Sequence, residues 1–143
     1  GTTAAARQGA IMGIPSFAVS LCSLQPPFFF RGAVNFVQKN LKTLFSLWTP
    51  EHFVNVNVPN TDTADLDVEI TKLSQPAYKS SLHSFTSPRG DQYYFFRGYP
   101  EEIKPKPGTD MATVLAGKIS VSPIYVLPVL YESSNAYTAE RFV

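Results

Sequence analysis

The seven residues FVNVNVP, residues 53–59, decide the fold class that the sequence predicts. Apolar and polar residues alternate here with a period of two, which is typical of a β-strand. One face of this strand would carry Val54, Val56 and Val58, and the other would carry Phe53, Asn55 and Asn57. The stretch therefore predicts a strand with an apolar face and a largely polar face.

The segment before this strand has helical spacing over five turns. Its apolar residues are Phe30, Ala33, Val34, Val37, Leu41, Leu44, Phe45 and Trp48. Further upstream, residues 14–21 resemble a strand buried on both faces, and residues 2–12 form a helix that Gly1-Thr2-Thr3 caps and Gly13 ends. Helix, strand, helix and strand in this order predict an α/β fold. Because a cap needs a preceding segment to orient it, we expect the C-terminal portion of a longer protein.

We expect a single domain portion over residues 1–143, with an α/β core in residues 1–59. Residues 60–107 are β-rich, with strands around 67–73 and 78–85 and a turn at residues 87–91 that leads into Tyr93-Tyr94-Phe95-Phe96. These strands predict a projecting hairpin. Residues 108–143 predict a helix from Thr109 or Asp110 to Ala116, a strand at 119–121 and a tail whose strongest signal is a loose helix near 136–142.

The composition supports one globular domain and argues against several classes of partner. The chain has 143 residues, of which 44 % are hydrophobic, and a net charge of +1 with both signs scattered. This charge pattern lacks the basic stripe that binds a nucleic acid polymer, and no apolar run reaches the roughly 20 residues of a membrane span. The single cysteine, Cys22, fits a reducing compartment, so we expect a cytoplasmic protein with a buried, unreactive thiol.

The residues alone predict no catalytic or metal-binding cluster. His52 and His83 lie far apart in sequence and are interpreted as surface or strand-end residues. Solvation in a polar linker explains the carboxylates, which are Asp62, Asp65, Asp67 and Glu69. No P-loop, dinucleotide or nucleophile-elbow motif occurs. Only the cap at Gly1-Thr2-Thr3 and the face with Asn55 and Asn57 could contact a polar ligand.

Six motifs in register give the sequence a family resemblance. They are Gly1-Thr2-Thr3-Ala4-Ala5-Ala6-Arg7, Gly13-Ile14-Pro15-Ser16 with Ala18-Val19-Ser20, Asn55-Val56-Asn57-Val58-Pro59, Pro88-Arg89-Gly90 with Tyr93-Tyr94, Gly108-Thr109-Asp110 with Gly117, and Ser120-Val121-Ser122-Pro123. Together they resemble the C-terminal half of the SurE family of stationary-phase survival proteins, which are metal-dependent 5′-nucleotidases and phosphomonoesterases. The resemblance implies a Rossmann-like, three-layer fold with a projecting hairpin and a C-terminal tail. The Phe-rich segment from Phe28 matches no family pattern.

The resemblance also implies which parts of the site this chain lacks. Family members carry an Asp-Asp-Gly motif, a serine and an Asn-x-Gly-x-Asn segment, all upstream of the position of Gly1, and these supply the ligands of a divalent metal, Mg or Mn. We therefore expect the intact protein to be an enzyme acting on nucleoside monophosphates and this chain alone to be inactive, with no catalytic residue and no metal ligand. The alternative is a non-catalytic oligomerisation module derived from the same fold.

The resemblance suggests roles for a few residues that are present. Gly1 and Thr2 would hold the phosphate at the helix N-terminus, although a plain N-cap explains them equally. Ser20 and Asn57 fall near the carboxyl ends of two strands and could line the substrate or serve as structural hydrogen-bond groups. The partner would be the protein's own N-terminal half or a second chain.

The aromatic run at residues 93–96 predicts a contact between subunits. Tyr93, Tyr94, Phe95 and Phe96 place rings on both faces of a strand, and an isolated hairpin is marginally stable. We expect an oligomer contact in a homodimer or tetramer, as the family resemblance also implies. The competing expectation is that the hairpin folds back and buries both faces on its own domain.

Overall fold

The computed structural model describes residues 1–75, 78–100 and 105–127. The helices in these ranges are α1 (Thr2–Ile11), α2 (Arg31–Ser46) and α3 (Asp110–Leu115). The strands are β1 (Phe17–Cys22), β2 (His52–Pro59), β3 (Val68–Ile70), β4 (Tyr78–Thr86), β5 (Gln92–Pro100) and β6 (Ile119–Tyr125). The predicted tail, with its loose helix near residues 136–142, lies outside the described residues.

Four strands form one mixed sheet in the order β1-β2-β6-β3. Strands β1 and β2 are parallel, β6 is antiparallel to β2, and β3 is parallel to β6. Helix α1 packs on one face, called here the α1 face, and α2 packs on the opposite α2 face. Helix α3 lies on the α1 face, where Thr113 bonds to Glu69 of β3. These layers confirm the predicted three-layer α/β architecture.

Strand β2 lies between the two halves of the core, as its alternating pattern predicts. The core on the α2 face contains Ala33, Phe36, Leu44, Val54, Val56, Val58, Ile119 and Val121. The core on the α1 face contains Ala6, Ala10, Ala18, Phe53 and Val126. Because both faces of the strand are covered by helices, Phe53 and Val54 are each only 2 % exposed.

Two expectations about the first strand and the second helix need correction. Strand β1 begins at Phe17 rather than Ile14, because Gly13 adopts a left-handed φ of 75° in the turn that ends α1 and Ile14 remains in that turn, 52 % exposed. In α2, the predicted apolar stripe is only partly buried, since Val34, Leu41 and Phe45 are 52 %, 42 % and 46 % exposed. On that side of the helix, Phe45 packs edge-on against Phe17 of β1, and all three side chains remain about half exposed.

Strands β4 and β5 form the predicted hairpin. Gly90, with φ of 90°, makes the turn, and the Ser87 amide donates to the Asp91 carbonyl at 2.8 Å. The hairpin packs mainly within itself rather than against the sheet. All four aromatic residues at positions 93–96 are exposed, so the described residues do not show the hairpin folded back with both faces buried.

Candidate functional site

Four polar side chains form a row across the α1 face at the end of the sheet where β1 and β2 finish. Ser20 of β1 lies opposite Asn57 of β2, and Asn57 lies opposite Ser120 of β6. Ser120 in turn lies opposite Glu69 of β3. Opposed residues on neighbouring strands project to the same face. We call these four residues the polar row, and ligands of open α/β sheets bind at such carboxyl ends.

The N-terminus of α1 is directed toward the same end of the sheet. The chain reverses direction at Gly13, so that α1 packs antiparallel to β1 and the C-terminal part of α1 lies against Ser16. A Cβ atom at Gly9 would lie 2.4 Å from Ser16 Oγ, so this approach requires glycine unless the hydroxyl moves. Thr2 precedes Gly9 by seven residues, a rise of about 10 Å or about three strand residues. With α1 antiparallel to β1, this rise would bring Thr2 level with Val19 and Ser20.

This end of α1 can accept an anion. Gly1 occupies the N-cap position and makes no side-chain capping bond, and the first turn contains no acidic residue. The first N–H groups of a helix have no acceptor within the helix and lie at the positive end of its dipole.

Three buried hydroxyl groups join the polar row to the interior of the α1 face. Thr71 Oγ1 lies 2.7 Å from Ser120 Oγ and 2.7 Å from Ser122 Oγ. Thr71 is 5 % exposed, Ser120 0 % and Ser122 1 %. Buried hydroxyl groups are costly unless they are hydrogen-bonded, so these three groups stabilise one another. They fix the position of Ser120 beside Asn57 on the neighbouring strand.

Asn55 lies one step deeper than Asn57 on the same face. Its opposed residues are Ala18 in β1 and Ser122 in β6. Asn55 is 5 % exposed, and its Oδ1 atom is buried without a hydrogen-bond partner among the described residues. Of the two asparagines proposed to face a ligand, Asn55 is thus enclosed, whereas Asn57 is partly open to solvent.

An ion pair closes the β3 end of the polar row. Glu69 accepts hydrogen bonds from Lys118 Nζ at 2.6 Å and from Thr113 Oγ1 at 2.7 Å. These bonds, with Lys118 first, lower the pKa of the Glu69 carboxyl, and the Glu69 carboxylate raises the pKa of Lys118. The interpretation of Glu69 as a solvated linker carboxylate is therefore incomplete, because the Lys118 ammonium and the Thr113 hydroxyl group bind its carboxylate.

Cys22 and Asp110 interact electrostatically at the end of β1. Cys22, at the end of β1, is an exposed residue, so the expectation of a buried thiol was wrong. Partial burial and then the negative charge of Asp110 raise the pKa of its thiol, which makes the thiolate scarce at neutral pH. Asp110 accepts hydrogen bonds from the amides of Ser74 at 2.7 Å and Met111 at 2.8 Å. Its carboxylate thereby joins the start of α3 to the segment after β3.

The predicted ligand residues lie on three elements of the α1 face. Gly1 and Thr2 begin α1, and Ser20 and Asn57 lie near the ends of β1 and β2. The aromatic residues of β5 belong to a separate two-stranded sheet. Within residues 1–75, 78–100 and 105–127, no group of three or more His, Cys, Asp or Glu side chains is placed to hold a metal ion.

Sequence reasoning missed Thr71 and the role of Glu69. The polar alternation of Ser120-Val121-Ser122 was visible as a motif, and it could have indicated a buried polar face. The partner Thr71 is about 50 residues away in the chain, and no local pattern marks it. The two histidines bond locally, His52 Nδ1 with Thr49 Oγ1 at 3.0 Å and His83 Nε2 with Ser81 Oγ at 3.1 Å.

Comparison with protein families and sequences gives one consistent result. The family model described as survival protein SurE matches residues 1–80. A 5′-nucleotidase SurE from Heliobacterium modesticaldum is 35 % identical over 126 residues, which cover 87 % of this chain and 46 % of the relative. A 5′-nucleotidase SurE from Symbiobacterium thermophilum is also 35 % identical, over 88 % of this chain and 50 % of the relative. The chain thus spans about half the length of these curated relatives.

The solved structures support the same relationship. The crystal structure of the SurE protein from Aquifex aeolicus superposes with a TM-score of 0.70 at 25 % sequence identity, over 90 % of this chain and 52 % of that chain. No helix in the described part of the chain combines the length and apolar character needed to cross a membrane.

Proposed function

Because this chain belongs to the SurE family, we propose that it is the C-terminal portion of a 5′-nucleotidase, a phosphohydrolase of nucleoside monophosphates. The observation that carries the proposal is the N-terminus of α1, which has no side-chain cap and is directed toward the polar row. The named activity of relatives that are 35 % identical supports this proposal.

The residues of this chain would bind and orient the phosphate of the substrate. The N–H groups at the start of α1 can donate to phosphate oxygens, and the helix dipole favours their negative charge. Gly1 permits close approach of the backbone, and the Thr2 hydroxyl adds a donor. Ser20 and Asn57 can donate further hydrogen bonds from the neighbouring strands. Bonds of this kind to a charged group contribute roughly 1.5–3 kcal/mol each.

We place the divalent metal, Mg or Mn, in the part of the SurE domain that this chain does not match. The described residues do not fit a divalent cation, because they contain no cluster of three or more suitable side chains. When bound, such a metal would polarise the phosphate and activate a water molecule. The carboxylate of the polar row, Glu69, is engaged with Lys118 and Thr113.

The hairpin would serve assembly rather than chemistry. Strands β4 and β5 stand apart from the sheet with apolar side chains exposed on both faces, and exposed apolar patches commonly mark interaction sites. We propose that the aromatic residues at positions 93–96 contact another subunit of a homodimer or tetramer. A single cysteine among 143 residues supports the further proposal of a cytoplasmic enzyme.

A chimera distinguishes the nucleotidase from the non-catalytic module. This chain would replace the matching 126 residues of the Heliobacterium relative, and hydrolysis of AMP would be measured with Mn²⁺. We expect activity, and we expect Thr2→Val and Asn57→Leu each to lower kcat/KM by about tenfold or more, as loss of one hydrogen bond to a charged group predicts. Thr63→Val, on the exposed linker, is the matched control. A folded chimera without hydrolysis would favour the module.

A further inference from the structure

The loop between β1 and α2, residues 23–30, leaves the sheet at the end where the polar row lies. Strands β1 and β2 are parallel and finish at Cys22 and Pro59. Ser20 and Asn57 of the polar row each lie two positions before these ends, a span of about 7 Å along a strand. The loop therefore begins a short distance beyond the residues that are proposed to bind the phosphate.

Two aromatic rings of this loop, those of Phe28 and Phe30, are open to solvent. They are 46 % and 59 % exposed, and their centroids lie 6.3 Å apart at an interplanar angle of 40°. The loop sequence, SLQPPFFF, contains no charged residue. Small-molecule sites typically combine aromatic side chains with a few polar groups, and both kinds of group lie at this end of the sheet. We call Phe28 and Phe30 the aromatic pair.

The backbone that carries the aromatic pair is held by Asn60, the first residue after β2. Asn60 Oδ1 accepts a hydrogen bond from the Phe29 amide at 2.9 Å, and Asn60 Nδ2 donates to the Pro27 carbonyl at 2.8 Å. On the other side, the Phe30 carbonyl accepts from the Val34 amide in the first turn of α2 at 2.9 Å. A loop that is positioned before the ligand arrives loses less conformational entropy on binding.

We propose that the aromatic pair binds the nucleobase of the substrate while the N-terminus of α1 and the polar row bind its phosphate. Because every base has an aromatic face, stacking on these rings would favour nucleotides over phosphate esters without a base and would discriminate weakly among bases. The Phe-rich segment matches no family pattern, so the family assignment does not by itself predict this contact. The inference rests on the proposed function, since it assumes a phosphate at α1.

A nucleobase suits the aromatic pair better than a protein partner does. A specific protein interface buries about 800 Å² of each partner, and two half-exposed rings supply only a small part of that area. A base is a single flat ring system that two phenyl rings can contact. The ribose would bridge the distance between the polar row and the loop.

The test compares two substrates that differ in the presence of the base, AMP and ribose 5-phosphate. The protein is the chimera in which this chain replaces the 126 matched residues of the Heliobacterium relative, assayed with Mn²⁺. The variant Phe28→Ala/Phe30→Ala should lower kcat/KM for AMP by about tenfold or more, as loss of base stacking predicts, and should leave kcat/KM for ribose 5-phosphate unchanged. The variant Phe28→Tyr/Phe30→Tyr keeps both rings and should retain the preference for AMP.

The matched control is Phe45→Ala, which removes a phenyl ring that is 46 % exposed, as Phe28 is. Phe45 lies near the far end of α2, about 20 Å along the helix from its start, so this variant should not change the ratio of the two kcat/KM values. Circular dichroism confirms that each variant is folded. Equal losses for AMP and ribose 5-phosphate in Phe28→Ala/Phe30→Ala would overturn the proposal, because they would indicate damage to the phosphate site or to the fold.

A binding measurement does not depend on turnover. Saturation-transfer NMR on the metal-free chimera reports which protons of AMP contact the protein. We expect saturation of the adenine ring protons in the parent chimera and in Phe45→Ala, and its loss in Phe28→Ala/Phe30→Ala. Absence of adenine saturation in the parent chimera would overturn the inference.

The combined outcomes separate this inference from the proposed function. If the chimera contacts adenine through the aromatic pair but hydrolyses neither substrate, the base site stands and the proposed function fails. If the chimera hydrolyses AMP and the double-alanine variant leaves the preference for AMP unchanged, the proposed function stands and the base site is wrong. If that variant instead lowers the oligomeric mass in light scattering and keeps the preference for AMP, another subunit covers the aromatic pair and the proposal is again wrong.

Discussion

Replacing Thr71 with valine tests whether the three buried hydroxyl groups stabilise the sheet beneath the candidate site. Valine has nearly the shape of threonine, so the substitution removes the hydroxyl group and leaves the packing almost unchanged. It would break the contacts of 2.7 Å to both Ser120 and Ser122. Because these serines are 0 % and 1 % exposed, water does not readily replace the lost partner.

The expected loss follows from the number of bonds and from burial. Each neutral hydrogen bond contributes roughly 1 kcal/mol net, so two bonds predict a loss of about 2 kcal/mol in the free energy of unfolding. The loss would approach roughly 3 kcal/mol if both serines stay unsatisfied. In a background that carries Ser120→Ala and Ser122→Ala, the same Thr71→Val change should cost less than about 0.5 kcal/mol, since no hydroxyl pair remains to be broken.

Urea unfolding of the parent protein, Thr71→Val, the double-alanine variant and the triple variant measures this coupling. Trp48 fluorescence and far-ultraviolet circular dichroism follow the transition, and Thr63→Val on the exposed linker is the control, expected within about 0.5 kcal/mol of the parent protein. Equal losses for Thr71→Val in the parent and in the double-alanine background would refute the reasoning. That result would mean that backbone carbonyl groups, and not Thr71, satisfy the two serines.

Four further predictions concern activity, assembly, the cysteine and pH. The 143-residue chain alone should not hydrolyse p-nitrophenyl phosphate above background with Mg²⁺ or Mn²⁺, and chelator-sensitive turnover by the pure chain would contradict this. Tyr94 and Phe96 share one face of the hairpin with Leu82 and are 64 % and 75 % exposed, so Tyr94→Glu/Phe96→Glu should lower the oligomeric mass in light scattering. The variant Tyr93→Glu/Phe95→Glu, on the face where Phe85 stacks on both rings, should lower the oligomeric mass less. An unchanged mass for both double variants would exclude the subunit contact. Asp110→Asn should lower the pKa of Cys22 and speed its alkylation by iodoacetamide at pH 8, whereas Glu51→Gln should not, as peptide mass spectrometry can measure. The pKa of Glu69 is lowered in the folded state, so its contribution to stability is present above the ordinary pKa of 4.5 and is lost as the pH falls through the folded pKa. The melting temperature of Glu69→Gln should therefore fall less than that of the parent protein between about pH 5 and 3.

The sequence predicted the central part of the fold because local patterns dictate it. The alternation in residues 53–59 identified β2 and assigned its two faces correctly, and the turn residues 87–91 identified the hairpin. The burial of α2 was overestimated because apolar spacing shows which side can be buried and not whether a neighbour covers it. The place of β6 between β2 and β3 could not be predicted either, since strand order depends on pairing between distant residues.

The candidate site was predictable in part for the same reason. Gly1, Thr2, Ser20 and Asn57 lie near the ends of elements that the sequence predicts, and the topology of α/β sheets brings such ends together. Thr71 and Lys118 could not be found in this way, because their partners Ser120 and Glu69 lie on strands whose register the sequence does not reveal. The enclosure of Asn55 likewise depends on helices from other parts of the chain.

The close approach of Gly9 to Ser16 sets the tilt of α1 from a point about 10 Å from the N-terminus of the helix. An alanine at position 9 fits only if the Ser16 hydroxyl gives up its hydrogen bond to the Ile14 carbonyl. A bulkier side chain would displace the helix from the strand. A tilt of about 10° there would swing Thr2 by roughly 2 Å, given the helix rise. Displacements of that order can impair catalysis severely. Natural variation at position 9 should therefore be narrow, even though this residue is not part of the polar row.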